Sequence, residues 1–146
     1  MDNQLDTPEK ILADWLAGMD AALDYFAMQT GLQLDYTAAS LDRLEAWLLD
    51  RYPNPAAIES VSEQDYLEAA ARFVGETFRH HAGGSWELLL DEPSNIHNGI
   101  PRLNRLADNG PPIAPQLDII TSLARRQGSF LRMRLQKRSH TASATV

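Results

Sequence analysis

Apolar positions in the first thirty residues recur at spacings of three and four, the pattern of a helix with one buried face. This stripe consists of Ile11, Leu12, Trp15, Met19, Leu23 and Phe26. Thr7 is a good N-cap residue, Pro8 suits the first helical turn, and Gly31 provides a left-handed stop. The pattern predicts one helix over about residues 8–30, and the alternation after it favours a short extended segment over 32–37.

Two further helices are predicted in the first half of the chain. The second helix spans about residues 40–52, with Ser40 as its cap. The third spans about residues 62–82 and has the clearest helical periodicity. Ser62 followed by Asp65 resembles a capping box at its start.

The pattern changes after the third helix. Short apolar runs over residues 85–93, 98–106 and 111–115 are separated by Asn-Gly turn signals and favour strands. A helix of about three turns is predicted over 115–127. Residues 129–136 stay ambiguous, since their apolar positions alternate as in a strand while their composition suits a helix.

Helices that precede strands indicate the α+β class. We expect N-terminal helices packed on a small antiparallel sheet of about three to four strands, followed by a C-terminal helix. A length of 146 residues fits one domain with a core of its own. The expected domain covers residues 1–138, and residues 139–146 are predicted to be a disordered tail.

The composition excludes several kinds of functional site. The chain has no cysteine, which excludes disulfides, thiolate zinc sites, iron–sulfur clusters and cysteine nucleophiles. No cofactor is expected. The first ten residues lack the basic and apolar regions of a signal peptide, and no apolar run approaches the ~18–20 residues of a membrane span. The expectation is a cytoplasmic protein that does not enter a membrane.

The net charge of −7 is unevenly distributed along the chain. Residues 1–76 carry 15 acidic and 4 basic side chains, whereas residues 77–146 carry 5 acidic and 9 basic ones. An acidic domain repels nucleic acid at long range, so a nucleic-acid partner is not expected. The basic C-terminal segment has two open interpretations: it holds a phosphate group locally, or it pairs with the acidic half of the chain.

The acidic half predicts a protein-interaction module that is not an enzyme. An acidic helical surface accelerates association with a basic partner protein. The oligomeric state is left open. The alternative is that the acidic surface only maintains solubility. The candidate partner-binding residues, all expected on outer helix faces, are Asp42, Glu45, Asp50, Glu63, Asp65 and Glu68.

A second hypothesis arises from the stretch GETFRHHAGGSW. Glu76 and His80 are four residues apart and therefore share one helix face. With His81 and His97 they are the candidate ligands of a metal or small-molecule site, as in a hydrolase. The H-E-x-x-H motif of metallohydrolases and the G-x-S-x-G elbow of serine hydrolases are both absent.

The same stretch also fits a helix terminus without a ligand. The histidines then face the negative end of the helix dipole, and Glu76 pairs with Arg72 or Arg79. Gly75 permits close packing of another backbone on the helix, and Gly83–Gly84 turns the chain into a strand. The glycines follow a helix and precede a strand, the reverse of a phosphate-binding loop.

Residues 30–127 resemble a group of small bacterial α+β proteins without an established activity. The segments that carry the resemblance are LDYTAASLDRLEAWLL, YLEAAARFVGETFRHHAGGSW and PPIAP. Its most specific part is a motif made of Gly75, Glu76, Arg79, Gly83, Gly84 and Trp86. The resemblance implies an immunity or accessory partner of a bacterial toxin, and it transfers no catalytic residue.

Overall fold

The computed structural model describes the backbone of residues 7–144 and the side chains of residues 7–139. Within these residues the fold is α+β, with seven helices and one antiparallel pair of strands. The elements are α1 (Pro8–Ala17), α2 (Met19–Thr30), α3 (Ala38–Arg51), α4 (Pro55–Ile58), α5 (Gln64–Ala82), β1 (Gly83–Glu87), β2 (Arg102–Leu106), α6 (Pro115–Arg125) and α7 (Phe130–Ala144).

Helix α5 is the centre of the core. It contacts α2, α6, α7 and both strands, so nearly every layer of the fold is built on it. Its buried face includes the fully enclosed rings of Phe73 and Phe78 and the side chain of Leu67. Apolar burial is the main favourable term in folding, and the periodicity that predicted α5 is the periodicity that packs it.

The helix predicted over 8–30 is two helices, separated at Gly18. Thr7 caps α1 and Gly31 ends α2 in the left-handed region, as predicted. The interruption has two physical causes. Glycine is a poor helix former, and Arg72 Nη2 donates a hydrogen bond of 2.8 Å to the backbone carbonyl of Trp15.

Two predicted helix starts are wrong. The side chain of Thr37, not Ser40, caps α3 by accepting the Ser40 N–H at 3.1 Å. No capping box forms at Ser62, because residues 61–63 make a 3₁₀ turn and α5 begins at Gln64 without a side-chain cap. Residues 32–37 form no strand.

The sheet is smaller than predicted. In the described part of the chain it has two strands, β1 and β2, so three to four strands are not confirmed. The 111–115 segment adds one bridge, in which Ile113 exchanges backbone hydrogen bonds of 2.7 and 2.8 Å with Leu103. Prolines at 111, 112 and 115 remove the N–H donors that a longer ladder needs.

The ambiguous 129–136 segment is helical, as the start of α7. Its first turn is capped from another element, since the Glu45 carboxylate accepts the N–H groups of Phe130 at 3.2 Å and Leu131 at 2.8 Å. The tail predicted at 139–146 lies partly outside the described residues, and its disorder stays a prediction.

The C-terminal segment also caps α3. Arg126 donates to the backbone carbonyls of Leu49 at 2.8 Å and Tyr52 at 2.9 Å, which are among the carbonyls that a helix end leaves unpaired. Because Glu45 of α3 in turn caps α7, the contact between α3 and the C-terminal segment is reciprocal. Each side supplies the group that the other side's helix end lacks.

Candidate functional site

The motif around residue 76 forms one local cluster. Trp86 on β1 returns over α5 and donates its Nε1–H to Glu76 Oε2 at 2.7 Å. Arg79 Nη1 lies 3.1 Å from both carboxylate oxygens of Glu76. The Glu76 side chain, 15% exposed, therefore has its oxygens engaged inside the chain. Of the two ion pairs proposed for it, the one with Arg79 forms.

Gly75 makes room for a side chain rather than for a backbone. A Cβ at this position would lie 2.0 Å from Cη2 and 2.3 Å from Cζ2 of Trp86. The indole therefore rests directly on the helix backbone at Gly75. Trp15 also contacts the Trp86 ring edge-on, with ring centroids 4.8 Å apart. The pair Gly75 and Trp86 is thus explained by packing, since the Trp86 ring needs a residue without a side chain at position 75.

His80 and His81 hold the loop between α2 and α3. The His80 ring stacks on Tyr36 with centroids 4.4 Å apart, and His81 Nε2 lies 2.7 Å from the Tyr36 carbonyl. Tyr36 has φ +65°, a conformation that costs energy for a tyrosine and that these contacts maintain. Burial, together with the nearby negative charges of Glu76, Asp20 and Asp24, raises the pKa of the Tyr36 hydroxyl.

His97 lies with a different set of partners. Arg102 Nη1 donates to His97 Nδ1 at 3.1 Å, and Arg102 also pairs with Glu87 at 2.6 Å. Burial and the charge of Arg102 lower the pKa of His97. Across the residues with described side chains, no group of three or more histidines and carboxylates is arranged to hold a metal ion. The four candidate ligands are not brought together as one such group.

Three of the candidate partner-binding acids have partners inside the chain. Glu45 is fully buried, so its expected place on an outer face is wrong. Asp42 pairs with Arg132 at 2.9 Å. Glu63 pairs with Arg51 at 2.9 Å and also accepts the Tyr52 hydroxyl.

Most of the basic C-terminal segment is likewise paired within the chain. Besides Arg126 and Arg132, Arg134 pairs with Asp118 at 3.2 Å and Arg138 pairs with Asp108. Pairing within the chain is thus confirmed for these arginines. Two of their acidic partners, Asp108 and Asp118, belong to the C-terminal half itself.

Asp65 and Glu68 are exposed and line a groove of about 390 Å³ between α2 and α5. Neither forms an ion pair with a described residue. Arg72 at the side of the groove interacts with Glu68 only at longer range. We call this feature the acidic groove, lined by Ala21, Ala22, Tyr25, Phe26, Asp65, Tyr66, Glu68, Ala69 and Arg72.

An apolar cavity of about 170 Å³ lies on the other side of Glu68, between α1, α5 and the segment after β1. Trp15 and Trp86 form part of its wall, with Leu88, Ile100 and Pro101. An enclosed space of ~150 Å³ lined by apolar side chains holds one benzene ring. The cavity therefore has room for one bulky apolar group beside the acidic groove.

Sequence reasoning found the acids of the groove but not its floor. The alanines at 21, 22 and 69 lie where α2 and α5 face each other, and their small side chains leave the space open. Tyr25, which is 56% exposed, was also missed. The sequence does carry a signal for this open space, because α2 has alanines beside the buried stripe that contains Leu23 and Phe26.

Asp118 is a buried carboxylate in α6 whose environment opposes ionisation. Burial raises its pKa to about 6, although the positive charges of Arg134 and Arg138 act in the opposite direction. The free-energy penalty of removing the Asp118 charge from water is larger here than the stabilisation from its ion pair with Arg134. Asp118 therefore makes the stability of the protein depend on pH.

We expect Asp118→Asn to gain stability relative to the unmodified chain as pH rises. The pKa of Asp118 increases from a usual 3.8 to about 6 on folding, so its contribution is complete below pH 3.8 and is lost as pH rises through 6. The difference in unfolding free energy should shift by about 2–3 kcal/mol in favour of the variant across this window. Urea denaturation at several pH values measures it, and a difference independent of pH would contradict the assignment.

Comparison of the chain with family models, with curated proteins and with solved structures found no match. Among the described helices, none combines the length and the apolar character needed to cross a bilayer.

Proposed function

We propose that this chain is a non-enzymatic protein-interaction module whose acidic groove binds a basic segment of another protein. The observation that carries the proposal is the state of Asp65 and Glu68. Both carboxylates stand exposed at one groove without an ion pair among the described residues, whereas Asp42, Glu45 and Glu63 are engaged. Lysine or arginine side chains of a partner complement this arrangement.

The floor of the groove supports a helical or extended segment as the occupant. Alanines let another backbone approach closely, and Tyr25 and Tyr66 offer rings that have both an apolar face and a hydroxyl. Tyrosine is enriched at protein interfaces for this reason. A groove between two helices is a common receptor for an amphipathic helix.

The apolar cavity beside Glu68 supports a second requirement on the partner. A bulky apolar side chain next to the basic residues would fill a space of about 170 Å³ while the cations meet the groove acids. Such central anchors supply most of the affinity in interfaces of this kind. The partner we infer therefore has a leucine-, phenylalanine- or tryptophan-sized residue flanked by lysines or arginines.

Long-range charge supports fast association with such a partner. Residues 1–76 carry a net charge of −11, from 15 acidic and 4 basic side chains, which attracts a basic protein. This attraction is screened by salt. An immunity-like or regulatory role agrees with this proposal. That role is the one implied by the resemblance of residues 30–127 to small bacterial proteins.

The test compares two charge-matched double variants as bait. Asp65→Asn/Glu68→Gln removes the groove acids, and Asp91→Asn/Glu59→Gln removes two exposed acids outside the groove. Tagged protein captures partners from lysate at low and physiological salt, and the affinity of the recovered basic partner is then measured with purified proteins. We expect the groove variant to weaken binding at least ~10-fold and the control to change it less than ~3-fold.

Two results would contradict the proposal. Equal weakening by both double variants would mean that only the overall charge matters. Capture of no basic protein at either salt concentration would remove the partner class itself. Thermal denaturation of each variant shows whether a loss of binding reflects a loss of fold.

A further inference from the structure

A second pocket, which we call the basic pocket, lies between α6 and α7 and has a volume of about 570 Å³. This is within the ~300–1,000 Å³ typical of small-molecule sites. Among the described residues, its lining includes the cationic side chains of Arg125, Arg134 and Lys137 and the carboxylate of Asp118. None of its lining residues belongs to the acidic groove. The local excess of positive charge is therefore opposite in sign to the net charge of the chain.

Arg125 differs from the arginines around it. Arg126, Arg132 and Arg138 each have carbonyl or carboxylate partners. The exposed Arg125 guanidinium contacts only the face of the Phe130 ring, with 5.2 Å to the centroid, and has no acceptor among the described residues. Stacking holds the guanidinium over the ring without using its N–H groups. These donors remain available to an anion.

Arg134 has a donor that the fold leaves unpaired. Its guanidinium pairs with Asp118, yet its Nε is buried and has no acceptor within the described part of the chain. Buried donors are almost always satisfied in native proteins, and an exception calls for an unseen water or ion. The Arg134 side chain as a whole is 34% exposed and lines the basic pocket, so its terminal nitrogens lie within reach of an anion held there.

One wall of the basic pocket is apolar. Phe130 lines it, but its ring is buried and covered by Arg125, so the accessible apolar surface is the Met133 side chain, which is 54% exposed. Cationic donors beside an exposed thioether suit a molecule that has an anionic group and an apolar body. A phosphate monoester carries about −1.5 to −2 charges, which complements the two arginine side chains that line the pocket.

We propose that the basic pocket binds a small organic phosphate of mononucleotide size. Arg125 and Arg134 contact the phosphate group, and Met133 contacts the apolar body of the ligand. Arginine suits this task because its fixed fork of donors matches phosphate oxygens. The proposal does not depend on the acidic groove or on its partner.

The test titrates the full chain with adenosine monophosphate and measures affinity by calorimetry and by amide chemical-shift changes. Arg125→Gln is the test variant, since within the described part of the chain this side chain has no partner to lose except the Phe130 ring. Arg105→Gln is the matched control, because Arg105 is exposed on β2, has no ion pair with a described residue, and its replacement changes the net charge by the same unit. We expect Arg125→Gln to weaken binding by about tenfold or more and Arg105→Gln to leave it within ~2-fold.

Further probes separate the parts of the ligand. Adenosine without phosphate and inorganic phosphate without a ring should each bind at least ~10-fold more weakly than the nucleotide. Inorganic phosphate binding equally well, or a short single-stranded RNA binding far more tightly than the nucleotide, would overturn the proposal. So would the absence of shifts at residues of α6 and α7, or equal weakening by both arginine variants.

The role of Arg134 needs a variant that keeps the buried site neutral. Arg134→Gln alone would leave the buried Asp118 without its cation, so the double variant Asp118→Asn/Arg134→Gln is the better choice. It should retain the fold and lose the nucleotide affinity. Retention of full affinity by a folded double variant would contradict the assignment of Arg134 to the phosphate.

Discussion

Replacing Glu45 with alanine is expected to lower the free energy of unfolding by about 3 kcal/mol, as read by chemical denaturation. The carboxylate is fully buried and accepts the first N–H groups of α7, from Phe130 and Leu131. Alanine leaves these two donors buried without acceptors and also leaves an unfilled space in the core. α7 should lose order before the rest of the molecule.

Two further variants separate capping from general effects of charge. Glu45→Gln keeps the shape and one acceptor oxygen, so we expect about half of the loss. Asp50→Ala removes an exposed acid from the same helix and should change stability by less than ~0.5 kcal/mol. A Glu45→Ala variant as stable as Asp50→Ala would mean that the cap does not hold α7.

The second large effect is expected at Gly75, where alanine should destabilise the fold by about 2–3 kcal/mol. Its Cβ would lie 2.0 Å from the Trp86 ring, so the indole has to move. That movement breaks the hydrogen bond from Trp86 Nε1 to Glu76 and disturbs the edge contact with Trp15. Thermal or urea unfolding measures the loss, and the emission of Trp86 should shift as its surroundings change.

A double-mutant cycle identifies the cause. Trp86→Phe removes the outer ring that meets the new methyl group, so Gly75→Ala should cost at least ~1 kcal/mol less in that background. Gly18→Ala serves as the matched control, since its added Cβ has no neighbour closer than 3.6 Å. Additive effects of Gly75→Ala and Trp86→Phe would contradict a direct clash.

The local rules of helix formation predicted much of the fold. The periodicity of α5, the Thr7 cap and the left-handed Gly31 all depend on residues close in sequence, and all three are found. The start of α5 was missed because residues 61–63 form a 3₁₀ turn, which shares most of its signals with a helix N-terminus. The sheet was overestimated because proline signals a strand end and a turn equally well.

The misplaced Glu45 has a different cause. It lies four residues after Leu41 and three before Leu48, both buried, so its spacing alone puts it on the inner face of α3. The outer face was predicted instead because charged side chains are generally exposed. The partner that makes its burial possible lies 85 residues away, beyond the reach of any local pattern.

The candidate site divides in the same way. The pairing of Glu76 with Arg79 is a matter of spacing along one helix and could be predicted. The stacking of His80 on Tyr36 and the pairing of His97 with Arg102 required the path of two loops. The acidic groove arises from side chains on α2 and α5, about 40 residues apart, and the basic pocket depends on how α6 packs on α7, so only their charges were visible beforehand.

The reciprocal caps between α3 and the C-terminal segment also bear on how the chain is made. A ribosome adds residues from the N-terminus, so Glu45 has no partner until Phe130 and Leu131, 85 and 86 residues later, have been added. The carbonyl of Leu49 likewise lacks its donor until Arg126, 77 residues later, is present. Contacts between residues so distant form slowly and favour folding of the domain as one unit. The acid that anchors α7 thereby delays completion of the N-terminal half until the first turn of α7 has been made.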